Sequence, residues 1–370
     1  MIYLASVFVI LYCVLLLIFI VVWLSQNVKY ATSDFSQSTG MTIIVAVRNE
    51  AKNIALLIES ILKQNNVALE LIIVDDASED ETMKIAETYL GKLDLKILNL
   101  TKEERGNSPK KNAITKALNI AKYELIFCTD GDCVLSENIL DRYLEMFQNE
   151  QIKFISGPVT FFNTSKGFWE NIWGKLQIVE FASLVGSAAV SIFMGKPNMC
   201  SGANIAYRRS VFQEVNGYEG NLNLASGDDE FLMHKIAQKY PEGVLFAKTE
   251  ACIVQTNACE SINDFYNQRK RWASKWTHYA SLLPKLLAAF VFFVNVSTLF
   301  LAFLFSLEIL IIRFLIEFVF LGLILMFLNK KTAVLYIPLV QVIYPFYVIF
   351  FGISSVFMKK TYIWKQRTLQ

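Results

Sequence analysis

Acidic side chains follow three apolar segments of the sequence, and their types suit the binding of a cation. Asp130 and Asp132, one residue apart, come shortly after the apolar run ELIF. Asp75 and Asp76 follow LELIIV, and residues 48–50 (RNE) follow MTIIVAV. Like charges repel one another when they are gathered at one place, unless a cation neutralises them. Carboxylate oxygens on either side of a tight turn suit Mg²⁺ or Mn²⁺, which can keep positions open for phosphate oxygens.

The segments that must position these acids alternate between β-branched apolar runs and amphipathic stretches. Strands are predicted at MTIIVAV, LELIIV, LKILNL and ELIF, and helices at RNEAKNIALLIESILKQ and DETMKIAETYL. Continuous apolar strands that alternate with helices predict an α/β domain with a parallel sheet covered on both faces. Ligands bind such sheets at the carboxyl ends of the strands, near a topological switch point. We therefore expect the acids to meet at one edge of the sheet.

Long apolar segments flank this polar domain on both sides. The chain has 370 residues, of which 54% are hydrophobic, more than an ordinary soluble domain contains. Residues 2–24 carry no charge and are long enough to cross about 30 Å of hydrocarbon. We interpret them as an uncleaved anchor, because no Lys or Arg precedes them and no small-residue cleavage site follows. Further apolar blocks lie at about 283–305, 309–328 and 333–357.

The predicted organisation is one N-terminal and about three C-terminal transmembrane helices around a central domain. Its segments are an anchor at 1–28, a central domain at 40–280, transmembrane helices at 281–358 and a basic tail at 359–370. We expect an integral protein of the inner or plasma membrane.

The orientation of the C-terminal blocks stays open. Lys29 and the basic residues of the central domain favour an exterior N-terminus and a cytoplasmic central domain. Three later crossings would put the basic tail outside, so either the last block, with Pro345 and Gly352, is re-entrant, or one block lies in the interface. Arg313 and Glu317, at i and i+4 in the middle block, predict a structural ion pair.

Charge and cysteine patterns exclude two other classes of site. The formal net charge is +2 and no basic stripe with interleaved aromatic residues is present, so we expect no nucleic-acid partner. The six cysteines lack CxxC or CxxH spacing, which predicts free thiols in a reducing compartment rather than a metal cluster.

Six motifs, in order, resemble those of the membrane-bound family 2 glycosyltransferases, which have a GT-A fold. They are AVRNEAKNI, VDDASED, TDGDC, SGANIAYRR, SGDDEF and QRKRW, spread over residues 40–280. Ala46 stands where the family often has Pro, and Pro109 replaces the Gly of the family's G-K-x-x-A-L motif. The resemblance implies a UDP-sugar donor, Mn²⁺ or Mg²⁺, and a part in building the cell envelope.

The resemblance also implies a role for each motif. The nucleotide-sugar would be bound by Ala46, Val47, Asn49, Glu50, Asp75, Asp76, Lys110, Asp130 and Gly131. The metal would be held by Asp130 and Asp132. Asp229 would take the proton from the acceptor hydroxyl, with Asp228 as the alternative base. The acceptor and diphosphate would be contacted by Ser201, Gly202, Asn204, Gln268, Arg271 and Trp272.

Some of these motifs also have ordinary structural interpretations. Residues 228–230 precede an amphipathic helix, whose N-terminus favours acidic residues through its dipole. QRKRW suits a juxtamembrane anchor in which Arg269, Lys270 and Lys275 meet lipid phosphates. Residues 168–199 fit either a helix in the membrane interface or a buried helix of the central domain.

Three classes of function are compared. We expect an inverting glycosyltransferase that adds one sugar to a membrane lipid or a lipid-linked glycan. A processive polysaccharide synthase of the cellulose or hyaluronan type shares these motifs. Such a synthase needs a channel for its polymer, and three downstream apolar blocks are few helices to enclose a channel. A transporter or a nucleotide-binding scaffold is disfavoured, because the apolar blocks show no inverted repeat and few polar residues.

Overall fold

The computed structural model describes residues 1–26, 40–64, 66–163, 167–224, 226–274, 282–357, 362–364 and 367–369. The chain begins with helix α1 (Ile2–Ser25). The helices of the central domain are α2 (Ile54–Leu62), α3 (Thr82–Glu87), α4 (Lys102–Arg105), α5 (Pro109–Leu118), α6 (Ile139–Phe147), α7 (Phe168–Phe193), α8 (Arg209–Glu214), α9 (Glu230–Lys239) and α10 (Ile262–Ser274). Helices α11 (Leu282–Phe303), α12 (Leu307–Phe327) and α13 (Ile337–Phe357) follow, with 3₁₀ turns at Glu250–Cys252 and Lys331–Tyr336.

A seven-stranded sheet forms the centre of the domain, in the order β3-β2-β1-β4-β7-β5-β8. The strands are β1 (Gly40–Val47), β2 (Ala68–Asp75), β3 (Leu95–Asn99), β4 (Leu125–Asp130), β5 (Phe154–Ser156), β6 (Val159–Phe161), β7 (Ile205–Arg208), β8 (Val244–Phe246) and β9 (Val254–Thr256). β6 pairs with β9, and a terminal hairpin joins β10 (Tyr362–Trp364) to β11 (Arg367–Leu369). The four strands predicted from the sequence are all present.

The parallel sheet predicted for the first four strands is confirmed, and the later strands, which the sequence analysis did not predict, make the whole sheet mixed. β1 to β4 are mutually parallel, but β7 is antiparallel to both β4 and β5. The chain reaches β7 after α7 and the segment 194–204, and β7 begins with Ile205 opposite Cys128, close to the carboxyl end of β4. A strand that starts at the carboxyl edge must run back, so β7 opposes its neighbours. The class of fold, a mixed α/β sheet with helices around it, agrees with the prediction.

Five helical segments of the described chain are long and apolar enough to cross a membrane. They are Ile2–Ser25, Phe168–Phe193, Lys285–Phe303, Leu307–Phe327 and Lys331–Ser354. The second of them, α7, differs from the rest because 72% of its apolar window is buried within the protein, against 17–33% in the other four. α7 is thus a buried helix, which decides between the two interpretations of residues 168–199. α13 runs on through Pro345, so that proline does not break the last block.

A polar contact inside the apolar helices agrees with the predicted ion pair. Arg313 Nη2 lies 3.9 Å from Glu317 Oε1, and both side chains are buried. Tyr12 of α1 donates a 2.8 Å hydrogen bond to Glu317 Oε1, and Gln341 of α13 donates one of 3.2 Å to Oε2. The pair therefore also links three helices that the sequence alone could not connect.

All six cysteines are free thiols, as the sequence predicts. Burial raises the pKa of Cys128 to about 12 and that of Cys259 to about 11. A thiol with a raised pKa carries little thiolate at neutral pH and is a poor nucleophile. These two cysteines therefore contribute to packing.

Candidate active site

Three strands end at the same level of the sheet, as the acidic pattern predicts. Ala46 pairs with Asp130 across β1 and β4, and Val47 pairs with Asp75 across β1 and β2. β2 and β3 lie on one side of β1 while β4 lies on the other, so the switch point falls between β1 and β4. Residues 48–50 and 130–132 leave the sheet at this crevice.

Gly131 allows the loop after β4 to lie directly against the end of β1. A Cβ atom at this position would be 2.9 Å from Glu50 Cγ and 3.0 Å from Val47 Cγ1. Any larger residue would push the loop away from β1. Asp132 is half-buried in the same loop, where Cys133 Sγ lies 3.8 Å from its Oδ1. The structure thus brings Val47, Glu50 and the Asp130–Asp132 loop together.

Lys110 joins two of the predicted acids. Its Nζ lies 2.7 Å from Asp130 Oδ1 and 3.0 Å from Asp228 Oδ2. Burial alone would lower the pKa of this ammonium, but the carboxylates of Asp130 and Asp228 raise it well above its ordinary value. Lys110 lies in the first turn of α5, whose first residue, Pro109, suits a helix start because it needs no N–H partner. Replacing the family's Gly by Pro therefore leaves the lysine at this edge.

Asp229 connects the acid cluster to the segment before β7. It caps helix α9: its Oδ1 accepts a 2.8 Å hydrogen bond from the Glu230 N–H, and its Oδ2 accepts one of 2.8 Å from the Gly202 N–H. A Cβ at Gly202 would lie 3.1 Å from Lys110 Nζ and 3.2 Å from Asp228 Oδ2. Gly202 therefore lies within the cluster, and the helix-cap interpretation of the SGDDEF motif holds alongside any chemical role.

The acids at the end of β2 are engaged with the chain around them. Asp75 Oδ1 accepts hydrogen bonds from the Ser78 N–H at 3.0 Å and from Ser78 Oγ at 2.5 Å. Asp76 Oδ1 lies 3.3 Å from Arg105 Nε. No motif singled out Arg105, which precedes α5 by four residues; a lone arginine in the short helix KEER gives no signal of a distant partner.

Residues 48–50 hold the first two loops together. Arg48 donates a 2.8 Å hydrogen bond to the Asp76 carbonyl. Asn49, which has a positive φ of 53°, accepts a 2.8 Å bond from the Glu79 N–H at its Oδ1. The Glu50 N–H donates to Thr82 Oγ1 at 2.7 Å. These bonds fix the strand ends at which a nucleotide would lie.

Asn204 lies beneath the cluster, in the core. Its Nδ2 donates 2.8 Å hydrogen bonds to the carbonyls of Pro158 and Cys252, and its Oδ1 accepts a 2.6 Å bond from Tyr143. The side chain is completely buried. Both amide hydrogens are therefore used within the protein, and Asn204 joins three chain segments. Ser201 is half-buried, at the start of the same SGAN segment.

The QRKRW motif lies on α10, on the side of the domain that faces the apolar helices. Arg269 is buried, donates a 3.1 Å hydrogen bond from Nε to Glu180 Oε1 and forms a second bond from Nη2 to Oε2. The prediction that Arg269 meets lipid phosphates is therefore wrong, because its guanidinium is buried and forms an ion pair with the Glu180 carboxylate. Lys270 is half-buried, and Lys275 lies outside the described residues.

Two of the three family positions of the motif, Gln268 and Trp272, contact Arg269 of this ion pair. Gln268 Oε1 accepts hydrogen bonds from Arg269 and, at 3.4 Å, from Cys259 Sγ. The Trp272 ring lies 4.2 Å below the Arg269 guanidinium, as a cation–π contact. Arg271 is half-buried on the same helix. The motif therefore organises the junction between α10 and α7.

Asp130 and Asp132 are the candidate ligands for a metal ion. Among the described residues, no group of three or more His, Cys, Asp and Glu side chains has an arrangement that could hold a metal ion. Asp130 and Asp132 offer two carboxylates, and Mg²⁺-like cations are commonly bound by one or two carboxylates together with substrate phosphates and waters. The residues present fit a cation that arrives with a diphosphate.

Residues 42–215 match the profile of Glycosyl transferase family 2, so this segment is similar to the catalytic domain of that family. It is 25% identical over 243 residues to a poly-beta-1,6-N-acetyl-D-glucosamine synthase of Staphylococcus epidermidis, covering 65% of this chain and 55% of the relative. The synthase of Staphylococcus aureus strain COL is 23% identical over 258 residues, covering 68% and 59%. The chain thus spans little more than half the length of these curated relatives.

A solved structure shares the fold over nearly the whole chain. The mannosyltransferase of Pyrobaculum calidifontis, in complex with GDP-Man and Mn²⁺, superposes with a TM-score of 0.58 at 15% identity and covers 92% of this chain and 99% of its own. The α/β GT-A fold is therefore confirmed, and the match of residues 42–215 to Glycosyl transferase family 2 supports the glycosyltransferase class. The site residues remain predictions.

Proposed function

We propose that this protein transfers a sugar from a UDP-sugar to a hydroxyl group of a membrane lipid or a lipid-linked glycan, with inversion at the anomeric carbon. One observation carries the proposal: Lys110, Asp130, Asp228, Asp229 and Gly202 converge at the carboxyl edge of the sheet. An inert scaffold has no need to hold three carboxylates around one lysine, because gathering like charges costs free energy.

The donor would lie along the ends of β1, β2 and β4. Asp75 and Asp76 offer carboxylate acceptors for a base or ribose, and Lys110 offers a cation for the diphosphate. A divalent cation held by Asp130 and Asp132, Mn²⁺ or Mg²⁺, would neutralise the charge that develops on the departing diphosphate. The Mn²⁺ in the mannosyltransferase of the same fold supports such a cation here.

The chain's own residues would carry the proton and orient the groups. The acceptor oxygen attacks the anomeric carbon as the bond to the UDP oxygen breaks, through an oxocarbenium-like transition state. Asp229 takes the proton of the acceptor hydroxyl. Each of its oxygens already accepts one backbone N–H, but a carboxylate oxygen has a second lone pair for the hydroxyl. Asp228, paired with Lys110, is the alternative base.

The acceptor would come from the membrane. α7 joins the two parts of the molecule, since its Trp173 and Gln177 donate hydrogen bonds to the Cys259 carbonyl and its Gly186 packs against Phe320 and Ile324 of α12. Ser201 and Gly202, which follow α7, lie beside the acid cluster. The central domain would face the cytoplasm, where nucleotide-sugars are available, and membrane lipids would surround the apolar helices.

A processive polysaccharide synthase is the second candidate. The names of the staphylococcal relatives favour it, because they describe synthases of an N-acetylglucosamine polymer. The alignment with them covers 55–59% of their length, so polymer formation here is a separate proposal.

The test is the release of UDP by the purified full chain, with UDP-glucose or UDP-N-acetylglucosamine, Mn²⁺ and extracted membrane lipids. We expect release that requires both metal and lipid, and mass spectrometry should find a lipid heavier by one sugar. Products with a ladder of added sugars would favour the synthase. No UDP release with any donor, while Mn²⁺ and lipid are present, would overturn the proposal.

A further inference from the structure

A cavity of about 700 Å³ lies between the apolar helices and the central domain. Residues of α1, α7, α11, α12 and α13 line it, together with Asn198 and Met199 from the segment after α7. Its volume lies in the range of about 300–1,000 Å³ that is typical of ligand-binding sites. All five helices are long and apolar enough to cross a membrane, and the four other than α7 are largely exposed on their outer surfaces, so the cavity lies among helices suited to lipid.

The two acidic side chains of the wall are engaged within the protein, whereas the buried Oε1 of Gln341 has no hydrogen-bond partner among the described residues. Glu317 accepts hydrogen bonds from Tyr12 and Gln341. Glu180 is paired with Arg269 and also accepts a 3.2 Å bond from Tyr347.

Asn198 completes this set of engaged polar groups. Its Oδ1 accepts a 2.6 Å hydrogen bond from Ser191, and its carbonyl lies 3.0 Å from Nε2 of His234 on α9. A glycan needs free donors and acceptors along its length, because unpaired hydroxyls are costly to bury. The remaining wall consists mainly of Leu, Val, Ala and Phe side chains, which suits a hydrocarbon chain.

The wall of the cavity is connected to the candidate active site through the segment after α7. Asn198 and Met199 are in its wall, and Ser201 and Gly202 follow in the chain after one intervening residue, Cys200. Gly202 lies against Lys110 and Asp228. At the other side, Glu180 joins the wall to Arg269 in the QRKRW helix. An occupant of the cavity could therefore extend its polar end to the acid cluster.

We propose that this cavity binds the hydrocarbon chain of the glycosyl acceptor, so that the acceptor is a lipid with a terminal hydroxyl close to its chain. The inference rests on the proposed function and adds the class of acceptor and its binding site. The wall holds the chain, and Ser201–Gly202 receive the hydroxyl next to Asp229.

The test uses photolabelling of the full chain in vesicles of phosphatidylethanolamine and phosphatidylglycerol. The probe is a sixteen-carbon alcohol with a diazirine in mid-chain. We expect labelled peptides from α7 and α13, on the side that faces the cavity. Ala288→Phe, which adds a ring to the cavity wall from α11, should reduce this labelling at least fivefold, and Ala302→Phe, on the same helix and also exposed but not part of the wall, should leave it unchanged. Ser187→Phe fills the cavity from α7 and gives an independent check.

Binding of UDP with Mn²⁺, measured by calorimetry on the same samples, separates the two possible failures. Loss of labelling in Ala288→Phe with UDP binding intact supports the inference. Equal labelling of Ala288→Phe and Ala302→Phe, or labels confined to outward-facing residues, overturns it while UDP binding stands. Absence of UDP binding in the unmodified chain overturns the proposed function instead. Cross-linking of a multi-sugar product to the same wall would also overturn the inference, because the cavity would then carry a glycan.

Discussion

Lys110 Nζ lies 2.7 Å from Asp130 Oδ1, so a lysine is paired directly with one of the two predicted metal ligands. The same ammonium reaches Asp228, and the two carboxylates raise its pKa well above the ordinary value although burial acts in the opposite direction. A permanent positive charge in this position competes with any cation for Asp130. It also reduces the repulsion between carboxylates when no cation is bound.

Replacing this lysine should separate metal affinity from turnover. In Lys110→Met the competing charge is lost, so we expect Mn²⁺ alone to bind about 3–10-fold more tightly, while kcat/KM falls at least about 100-fold because the diphosphate loses a cation. Calorimetric Mn²⁺ titration and UDP release measure the two effects. Lys116→Met, which removes an exposed partner of Glu104, is the matched control. Weaker Mn²⁺ binding in Lys110→Met would contradict the competition.

Asp229 and Asp228 are expected to respond differently to the same substitution. Asp229→Asn should lower kcat by about 10²–10⁴-fold, as for loss of a general base, and leave UDP affinity nearly unchanged. It should also lower the free energy of unfolding by about 1–2 kcal/mol. The Asn side chain has one oxygen instead of two, so either the Gly202 or the Glu230 N–H loses its acceptor and meets the amide NH₂ group. Asp228→Asn should instead raise the donor KM through Lys110. Full turnover in Asp229→Asn would move the base to Asp228 or elsewhere.

Asp132→Ala tests the assignment of the second metal ligand. UDP binding in the presence of Mn²⁺ should weaken by about 10–100-fold, because the metal site loses a carboxylate that helps to hold the ion. UDP binding without metal should not change. Titrations with and without Mn²⁺ measure the difference. Asp94→Ala is the control, since that carboxylate is exposed and pairs with Lys122 at 3.2 Å. Identical metal-dependent titrations for the two variants would rule out Asp132 as a ligand.

The buried pair of Arg269 and Glu180 should control stability more than donor binding. Arg269→Met leaves a buried carboxylate without its partner, which costs about 3–5 kcal/mol. The double variant Arg269→Met with Glu180→Gln should recover most of this loss, because neither charge remains. Thermal unfolding in detergent, followed by tryptophan fluorescence, measures the change. Lys270→Met, next in sequence and half-buried, is the control. A double variant no more stable than the single one would argue against the pair.

Lys330 predicts a pH dependence of stability. Burial, and then the nearby charge of Lys175, lower the pKa of Lys330 to about 8 in the folded protein. The unfolded chain, with a lysine pKa of about 10.4, holds more protons between these values, so the contribution of Lys330 to stability rises as the pH increases from about 8 to about 10.4. At pH 7 the folded protein must bury the charged ammonium of Lys330, which costs free energy. Lys330→Met removes this cost and should therefore stabilise the protein by about 1–3 kcal/mol at pH 7.

The gain from Lys330→Met should shrink steadily as the pH rises from about 8 to about 10.4, because deprotonating the folded lysine then costs less, and most of it should be lost by pH 10. Unfolding temperatures measured from pH 7 to pH 10 test this. Lys331→Met, at the exposed neighbouring position, should show no such dependence. An equal effect of Lys330→Met at both ends of the pH range would show that its charge is not the cause.

The sequence by itself determined the elements and the chemistry at their ends. Fully buried strands read as continuous apolar runs, so β1 to β4 and the acids that follow them could be predicted, as could the helical spacing of Leu57, Ile58 and Ile61, which are completely buried. Apolar length likewise predicted α1 and the three C-terminal helices. These patterns are local, and local patterns report whether a residue is buried.

Only the tertiary structure decided which residues meet. Nothing near Arg269 indicates that its partner is Glu180, 89 positions earlier, and nothing near Lys110 indicates Asp228. β7 runs antiparallel because α7 delivers the chain to the carboxyl edge of the sheet. α7 is buried because β6 and β8 of the central domain and the apolar helices α1, α12 and α13 pack against it. A local residue pattern indicates that a side chain is buried but does not indicate which segment packs against it. Ion pairs, capping bonds and cavities depend on such contacts between segments far apart in the chain.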